Sequence, residues 1–538
     1  MAKGAAQGFV VCFMHRILFA LALFSFTSTA LPAAPKPNII YILCDDLGYG
    51  DVKCLNPEGK IATPHMDRLA KSGMIFTDAH SGSSVCTPTR YGLMTGRYAW
   101  RTRLHSGVLG GISPPLIAPD RKTVAGFLKE EGYHTACIGK WHLGMDWARP
   151  ENKPVNDRSI ESREQVWNVD YAQPIKNGPN SVGFDYYFGI SASLDMVPYT
   201  FIENDRVTVL PTEDREFLLY EGREGKMCRK GPTAPGFHTS HVLPKLTEKV
   251  VSHIGEHAAD AKNGKPFFIY LPLNSPHTPI APAKEWVGKS GISLYADFVM
   301  QTDATIGAVL DAVEKNGISE NTWIVMTTDN GCSPSADYPE LLGKGHNPSA
   351  KLRGHKADVF EGGHRVAFLT RWPAVIKPGG TSAQTICLTD LFATVADIVE
   401  KKLPDTVAED SVSFLPAMKG EDKSPLREAV VHHSINGSFC IRQGKWKLEL
   451  CAGSGGWSDP RPGSPGEAGL PDVQLYDLEA DLGETKNLQA EQPEVVAKLT
   501  NLLKKYIADG RSTPGAPQAN DEEVPLRPVR QAARKKKA

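Results

Sequence analysis

The sequence predicts an α/β protein with a large, mostly parallel mixed sheet between helices and a smaller antiparallel α+β subdomain at the C-terminal end. Short apolar runs alternate with capped, amphipathic helical segments from residue 38 to about residue 400. This alternation is typical of a parallel sheet covered on both faces. After about residue 424 short strand-like runs follow one another, as in an antiparallel sheet. The 538 residues, 41% of them hydrophobic, are sufficient for a large core.

The chain divides into four predicted segments. Residues 1–34 are expected to be an export signal, because basic residues precede the apolar run Ile17–Phe26 and small residues follow it. Residues 35–423 are the predicted catalytic domain and residues 424–511 the predicted C-terminal α+β subdomain. Residues 512–538 are predicted to be a disordered basic tail, since proline, alanine and charge dominate there.

Composition and hydropathy exclude some partners. No segment after the signal is long and apolar enough to cross a bilayer, so we expect an exported protein, periplasmic or extracellular, with no stable membrane span. The formal net charge is -1, which provides no overall basic field for nucleic acid.

Local signals define the elements of the larger domain. Helix starts are marked by N-cap residues or proline, and helix ends by glycine; strands are short apolar runs. Strands are predicted at Ile39–Cys44, Thr135–Ile138, Phe267–Leu271 and Trp323–Thr328. Helices are predicted from Thr63-Pro64 to Gly73, over Thr123–Glu131 and over Phe298–Asn316.

The remaining segments are loops and the small subdomain. Residues 146–240 and 332–350 are rich in proline, glycine and charge, which predicts loops around a substrate. The small subdomain is predicted to contain strands near 429–432, 439–442, 445–450 and 475–478 and a helix over 491–508. Cys440 and Cys451 flank a predicted hairpin and are the best candidates for a disulfide in an exported chain.

One cysteine stands at a helix start. In Cys86–Arg90, Thr87 is a plausible N-cap and Pro88 suits the first helical position. Cys86 would then lie near unpaired backbone N–H groups and the positive end of the helix dipole, an environment that favours an anion. Arg90 adds a fixed charge one turn later, and Leu93–Arg97 continues the motif.

Oxygen ligands follow two of the predicted strands. Asp45 and Asp46 come directly after the first strand, and Asp329 and Asn330 follow another. Since ligand sites of open α/β sheets lie at the carboxyl ends of strands, these side chains should meet. Carboxylate and amide oxygens suit Ca²⁺ or Mg²⁺ rather than zinc.

Cations and imidazoles follow the strands as well. Lys140 and His142 end one strand, His277 ends another, and Lys356 lies on a loop that leads into a glycine-rich segment. Such groups can bind the oxygens of an anionic ester, protonate its leaving oxygen and act as a base.

Together these motifs resemble the signature of the type I, formylglycine-dependent sulfatases, in particular the arylsulfatase-like members. The resemblance extends from Asn38 to about Asp509. It implies the fold of the alkaline phosphatase superfamily and hydrolysis of a sulfated carbohydrate or an aryl sulfate. It also implies that a formylglycine-generating maturation enzyme converts Cys86 to formylglycine, an aldehyde whose hydrate is the nucleophile.

The resemblance assigns a role to each motif residue. The ligands of a calcium ion would be Asp45, Asp46, Asp329, Asn330 and the oxygen of the converted Cys86. Arg90 would hold the hydrate, and His142 would be the base that completes the cycle. Sulfate oxygens would be bound by Lys140, His277, Lys356 and, in a looser match, Ser193, with His277 or Lys356 protonating the leaving oxygen.

Other functions remain open at this point. A formylglycine-dependent phosphonate or phosphodiester hydrolase could use the same fold, although phosphatases of that fold typically use serine or threonine with two zinc ions. A non-catalytic binder of sulfated glycans is a further alternative, which the intact nucleophile, acid, base and metal positions disfavour. His253 and His257, four residues apart on a helix, could bind zinc, but a solvated helix face is the more common explanation.

Overall fold

A ten-stranded mixed sheet forms the centre of the molecule in a computed structural model, which describes residues 36–151, 153–155, 161–422 and 424–528. The export signal predicted over 1–34 lies outside the described residues. From Lys36 onward the chain forms one compact unit.

The described residues contain the strands of this sheet and of three smaller sheets. In chain order they are β1 (Asn38–Asp45), β2 (Met74–Phe76), β3 (Ala79–His80), β4 (His134–Lys140), β5 (Tyr186–Ile190), β6 (Ile202–Glu203), β7 (Arg206–Val207), β8 (Glu213–Arg215), β9 (Gly231–Thr233), β10 (Phe267–Pro276), β11 (Thr322–Thr328), β12 (Phe368–Arg371), β13 (Gly380–Ser382), β14 (Ile386–Cys387), β15 (Val430–His433), β16 (Phe439–Gln443), β17 (Trp446–Glu449) and β18 (Gln474–Asp477).

The α-helices connect and cover these strands. They are α1 (Pro64–Ser72), α2 (Cys86–Thr95), α3 (Val124–Glu130), α4 (Arg163–Trp167), α5 (Val242–Lys262), α6 (Leu294–Lys315), α7 (Tyr338–Gly343), α8 (Glu361–His364), α9 (Leu391–Ile398), α10 (Leu415–Lys419) and α11 (Pro493–Ala508). Within the described part of the chain, none of these helices has the length and apolarity that a membrane span needs.

Strand order brings four chain segments to one edge of the sheet. The order is β13-β2-β12-β11-β1-β10-β4-β5-β6-β7. Strands β11, β1, β10, β4 and β5 run parallel to one another, and β12 is antiparallel to β11. The residues that follow β1, β4, β10 and β11 therefore all emerge at the same edge. The predicted α/β class with its mixed, mostly parallel sheet is confirmed.

Local sequence signals located several elements well. Strand β1 is completely buried, as its continuous apolar run predicts. Helix α1 has Thr63 as N-cap and Gly73 as C-cap, and the side chain of Thr123 accepts a hydrogen bond from Gly126 N at the start of α3. Helices α1, α5 and α6 pack together, with α5 and α6 on β10, and α2, α3 and α9 form a second group, with α3 on β4.

Two segments predicted to be loops contain regular structure. Residues 146–240 include β5, which pairs with β4 in the main sheet through Ala136–Lys140. Residues 332–350 include α7. Strand β5 was not predicted, because its apolar sequence Tyr186–Ile190 is short, contains a glycine and lies between loops.

The C-terminal subdomain has the predicted form. Strands β15 to β18 make a four-stranded antiparallel sheet, and Leu499, Leu503 and Tyr506 of α11 belong to its apolar core. The predicted disulfide between Cys440 and Cys451 is wrong. Both are free thiols: Cys440 Sγ contacts Val359 O at 3.8 Å and Cys451 Sγ contacts Gly453 O at 3.1 Å.

Residues 512–528, which the sequence assigns to a disordered tail, make specific contacts with the segment that follows α2. The carboxylate of Asp521 accepts hydrogen bonds from Arg97 at 3.0 and 3.3 Å, and the side chain of Asn520 accepts one from Arg101 at 3.0 Å. The side chains of Arg97 and Arg101 are buried and need acceptors. Composition indicated disorder here because it does not reveal a partner that is distant in the sequence.

We predict that Asp521→Ala destabilises the protein by about 1–2 kcal/mol, because the buried Arg97 guanidinium then loses charged acceptors while Asp521 itself is half exposed. Thermal unfolding measures the change. Glu523→Ala, which removes an equal charge from an exposed position on the same segment, is the matched control. Equal midpoints for the two variants would contradict a role of this segment in stability.

Candidate active site

The candidate site lies where β1, β4, β10 and β11 end. Within the parallel ladder Cys44 pairs with Thr328 of β11, and Asp45 pairs with Pro276 of β10. The side chains that follow these strands are consequently neighbours, although they are separated by up to about three hundred residues in sequence. Asp45, Asp46, Asp329 and Asn330 are all buried at this edge.

Three of the predicted metal ligands, Asp46, Asp329 and Asn330, are joined by hydrogen bonds, and Asp45 lies beside them at the end of β1. The Asp46 backbone N–H donates to Asp329 Oδ1 at 3.3 Å, and Asn330 Nδ2 donates to Asp46 Oδ1 at 2.7 Å. Asp45 Oδ1 and Asn330 Oδ1 are buried and have no hydrogen-bond partner among the described residues. Since unpaired buried oxygens are rare and these are hard donors, the cluster fits Ca²⁺ or Mg²⁺.

Three cations pair with the three carboxylates. Lys140 Nζ lies 2.6 Å from Asp45 Oδ2, and Lys356 Nζ lies 2.6 Å from an oxygen of Asp46. The third pair is Arg90 with Asp329. Burial alone would raise the pKa of Asp45, but Lys140 and the other nearby cations hold it well below its usual range. Burial likewise opposes the charge on Lys356, yet Asp46 and its neighbours raise the pKa of the lysine.

Arg90 connects the motif helix to the cluster. Its Nη2 lies 2.7 Å from Asp329 Oδ2, and its Nη1 donates to Lys140 O at 3.2 Å. Burial and the Asp45 carboxylate raise the pKa of Asp329 despite this pairing. Arg90 therefore fixes the relative positions of α2, β4 and the residues after β11.

Cys86 is the first residue of α2 and is almost completely buried. The N-cap is Val85, so the sequence-based assignment of Thr87 as N-cap is wrong. The hydroxyl of Thr87 instead accepts a hydrogen bond from Leu109 N at 3.2 Å. Burial raises the pKa of the Cys86 thiol, although Lys140 and Lys356 oppose the rise. An unmodified thiol here is protonated at neutral pH and is a weak nucleophile.

His142 has the geometry of a neutral base. Its Nε2 lies 2.8 Å from Leu109 O, an acceptor only, so Nε2 carries the proton and the lone pair is on Nδ1. Nδ1 is buried without a hydrogen-bond partner among the described residues. Burial, with Lys140 and Arg90, lowers the pKa of His142 well below its ordinary value. Leu109 thus links His142 to Thr87, next to Cys86.

His277 follows β10, the strand that lies between β1 and β4. Its Nδ1 lies 2.5 Å from Thr278 O, which assigns the proton on that nitrogen. Its Nε2 lies 3.6 Å from Asp46 Oδ2. His277 and Lys356 therefore converge on Asp46.

Ser193 and Asn274 are two further candidates. Ser193 is buried with an unpartnered hydroxyl, on the segment whose Ser191 O accepts a hydrogen bond from His142 N at 2.9 Å. Asn274 lies in β10, three residues before His277, and both polar atoms of its amide are buried without a partner among the described residues. Asn274 was not among the site residues predicted from the sequence. The available signal was a polar residue within an otherwise apolar strand.

Comparisons with known proteins agree on one family. A family model described as Sulfatase matches residues 37–401. The N-acetylgalactosamine-6-O-sulfatase of Bacteroides thetaiotaomicron is 33% identical over 504 residues, which cover 87% of this chain and 92% of that protein. Arylsulfatase A of Bos taurus is 31% identical over 497 residues, covering 89% of this chain and 88% of that protein.

A solved structure supports the same relationship. It was described in connection with the metabolism of multiple glycosaminoglycans by Bacteroides thetaiotaomicron and is 32% identical to this chain. The alignment covers 88% of this chain and 99% of that one, with a TM-score of 0.74.

We predict that Ca²⁺ raises the unfolding midpoint of chelator-treated protein and that Asp329→Asn abolishes this response, because the cluster loses a charged ligand. At an ion concentration of a hundred times Kd the stabilisation is about 2.7 kcal/mol. Thermal unfolding with and without Ca²⁺ or Mg²⁺ is the measurement.

The matched control is Asp410→Asn. Asp410 is also a buried carboxylate paired with an arginine, with Arg101 Nε 2.8 Å from Oδ2. This variant should unfold at a lower temperature and keep the full response to Ca²⁺. A response that survives in Asp329→Asn would refute the ligand assignment.

Proposed function

The chain belongs to the sulfatase family, and from that premise we propose that it releases inorganic sulfate from a sulfated carbohydrate, using formylglycine made from Cys86. The observation that carries the proposal is the position of Cys86 at the start of α2. There the charges of Lys140, Lys356, Asp45 and Asp329 all act on its side chain.

The nucleophile requires maturation of the cysteine. We infer that a formylglycine-generating enzyme converts Cys86 to the aldehyde before or during folding, supplying the oxidant and removing the sulfur, since Cys86 is inaccessible in the folded protein. The aldehyde hydrate would supply one hydroxyl to attack sulfur and displace the sugar oxygen, and a second whose deprotonation would expel sulfate and restore the aldehyde. A single hydroxyl, as in serine, offers no equivalent route for release.

The metal cluster supports the nucleophile. Asp45, Asp46, Asp329 and Asn330 would hold Ca²⁺, and the bound ion would lower the pKa of the hydroxyl at position 86 and neutralise charge on the sulfate. Arg90 remains paired with Asp329 in this arrangement and orients α2 toward the cluster.

Lys140 and Lys356 would bind the sulfate oxygens. Each ammonium group has three N–H donors, and each is paired with a single carboxylate, Asp45 or Asp46. Donors that the carboxylates do not use are available to the ester. Ser193 and Asn274 have unpartnered polar atoms and are proposed as additional donors.

Proton transfer would be divided between two histidines. His277 donates its Nδ1 proton to Thr278 O in a hydrogen bond. It would protonate the leaving oxygen through Nε2, alone or with Lys356. His142 would accept the proton of the second hydroxyl at Nδ1. Its lowered pKa keeps the imidazole neutral at the pH of an ordinary extracellular medium, as a base must be.

The substrate is proposed from the relatives. A protein that is 33% identical to this chain is an N-acetylgalactosamine-6-O-sulfatase, so 6-sulfated N-acetylgalactosamine is the first candidate. Aryl sulfates are proposed as surrogate substrates, because arylsulfatase A is similar as well. Since polymeric sulfated sugars occur outside cells, we also propose export directed by residues 1–34.

The nucleophile and the reaction class can be tested together. Purified protein co-produced with a maturation enzyme should release sulfate from N-acetylgalactosamine 6-sulfate faster than from the 4-sulfate and should leave aryl phosphonates largely intact. Cys86→Ala should lower turnover by on the order of 10⁶-fold, as loss of a nucleophile does. Ion chromatography of released sulfate measures both.

Cys387→Ala is the control, because Cys387 is another buried thiol that packs in the C-terminal core. It should retain turnover. Phosphonate hydrolysis at the faster rate, or full sulfate release by Cys86→Ala, would show that the proposed reaction is wrong.

The proposed roles of the two histidines can be distinguished by mutation. His142→Ala should transfer sulfate once and then accumulate sulfate on the peptide that contains residue 86, because the step that needs the base is blocked. His277→Ala should slow the first step, by about 10²–10⁴-fold for sugar esters. It should affect an aryl sulfate less, since a good leaving group needs less protonation.

Intact-mass and peptide mass spectrometry after single-turnover mixing provide the measurement. The absence of an adduct in His142→Ala, together with a first turnover as slow as the steady state, would overturn the role of His142. Equal losses on sugar and aryl esters would overturn the role of His277.

A further inference from the structure

A cluster of histidines and carboxylates lies at the edge of the sheet opposite the active site. His134 opens β4, and Lys140 of the active site ends the same strand. Six residue steps of about 3.3 Å separate them, so the two sites are roughly 20 Å apart along the strand. The partners of His134 come from the second half of α5.

Helix α5 presents these partners on a single face. His253, His257 and Asp260 are spaced four and three residues apart, which aligns them along one side of a helix. The ring of His257 lies 4.3 Å from that of His253 and 4.5 Å from that of His134, centre to centre. His134 Nε2 is 2.9 Å from Asp260 Oδ2.

The donor atoms converge closely enough for one ion. One ligand atom each from His134, His257 and Asp260 lies within 4.8 Å of the other two. A tetrahedral zinc ion with bonds of about 2.0–2.2 Å holds its donors roughly 3.5 Å apart. A small closure of His257 toward the existing contact between His134 and Asp260 is therefore sufficient.

Two ring nitrogens of the cluster have no hydrogen-bond partner among the described residues. They are His257 Nδ1 and His253 Nε2, and both are buried. A ring nitrogen without a hydrogen-bond partner is available to coordinate a metal ion.

We propose that His134, His257 and Asp260 form a zinc site that joins the start of β4 to α5, with water completing the coordination. Two imidazole nitrogens and a carboxylate suit Zn²⁺, whereas the all-oxygen cluster of the active site suits Ca²⁺ or Mg²⁺. Among the groups that act on His257, Asp260 and Glu256 favour a cation, whereas His134 and Lys265 oppose it. Bound zinc would stabilise the fold and leave turnover unchanged.

A second histidine cluster meets the same distance criterion but is less suited to a cation. His80, His364 and His432 are fully buried, and one ring nitrogen of each lies within 4.8 Å of the others. His80 Nδ1 and His364 Nδ1 lie 3.1 Å apart and pair with each other. Arg442 Nη1 lies 3.1 Å from His80 Nε2, so a cation there would meet a fixed positive charge.

Zinc chloride added to the chelator-treated full chain tests the proposal. Isothermal titration, with bound zinc counted by elemental analysis, should give one more equivalent for the wild type than for His134→Gln or His257→Gln. Cobalt(II) should give the visible absorption of a four-coordinate site in the wild type, and this band should be lost in both variants. His241→Gln is the control, since His238 and His241 form another pair of neighbouring rings, 5.2 Å apart.

The variants should also lose the zinc-dependent rise in unfolding temperature while retaining sulfatase turnover. Asp260→Asn, which alters an exposed side chain, provides a variant that is expected to fold normally and should show the same losses. Equal zinc stoichiometry in the wild type and the His257→Gln variant would overturn the site. Binding that survives His134→Gln and is lost in His253→Gln would overturn this choice of ligands.

Discussion

The proposed active site depends on a balance between three carboxylates and three cations buried at one edge of the sheet. Asp45, Asp46 and Asp329 are each paired with a different cation, namely Lys140, Lys356 and Arg90. Isolated buried charges are strongly unfavourable, and removing one partner of such a pair typically destabilises a protein by about 3–5 kcal/mol. The six side chains must therefore be kept together, and the parallel strand order that brings their chain segments to one edge is what does so.

This balance also explains how the site can serve its reaction. The carboxylates could bind a divalent ion only if their charges are held close together, and the lysines paired with them are the proposed sulfate-binding groups. Arg90 adds α2 to the same arrangement, which places residue 86 beside the cluster. The hydrogen bonds from Thr87 through Leu109 to His142 extend it to the proposed base. Stability and function consequently rest on the same contacts.

Sequence predicted the elements whose signals are local, and it missed features that depend on distant partners. The run Ile39–Cys44 and the caps Thr63 and Thr123 located their elements, because burial on both faces and N-capping leave direct traces in the sequence. The N-cap of α2 was misplaced because the hydroxyl of Thr87 binds Leu109 instead. The contacts of the segment around Asp521 involve residues distant in the sequence, which composition cannot reveal. The burial of the Asn274 amide likewise depends on tertiary structure.

The central claim is that residue 86 of the active enzyme is an aldehyde held between the metal cluster and the lysines. Mass spectrometry of the peptide containing Cys86, applied to preparations that differ in extent of maturation, tests it most directly when each preparation is also assayed for sulfate release. The account predicts that specific activity rises in proportion to the fraction of aldehyde and extrapolates to none when only the thiol is present. Full activity in a preparation that contains only unmodified cysteine would contradict it.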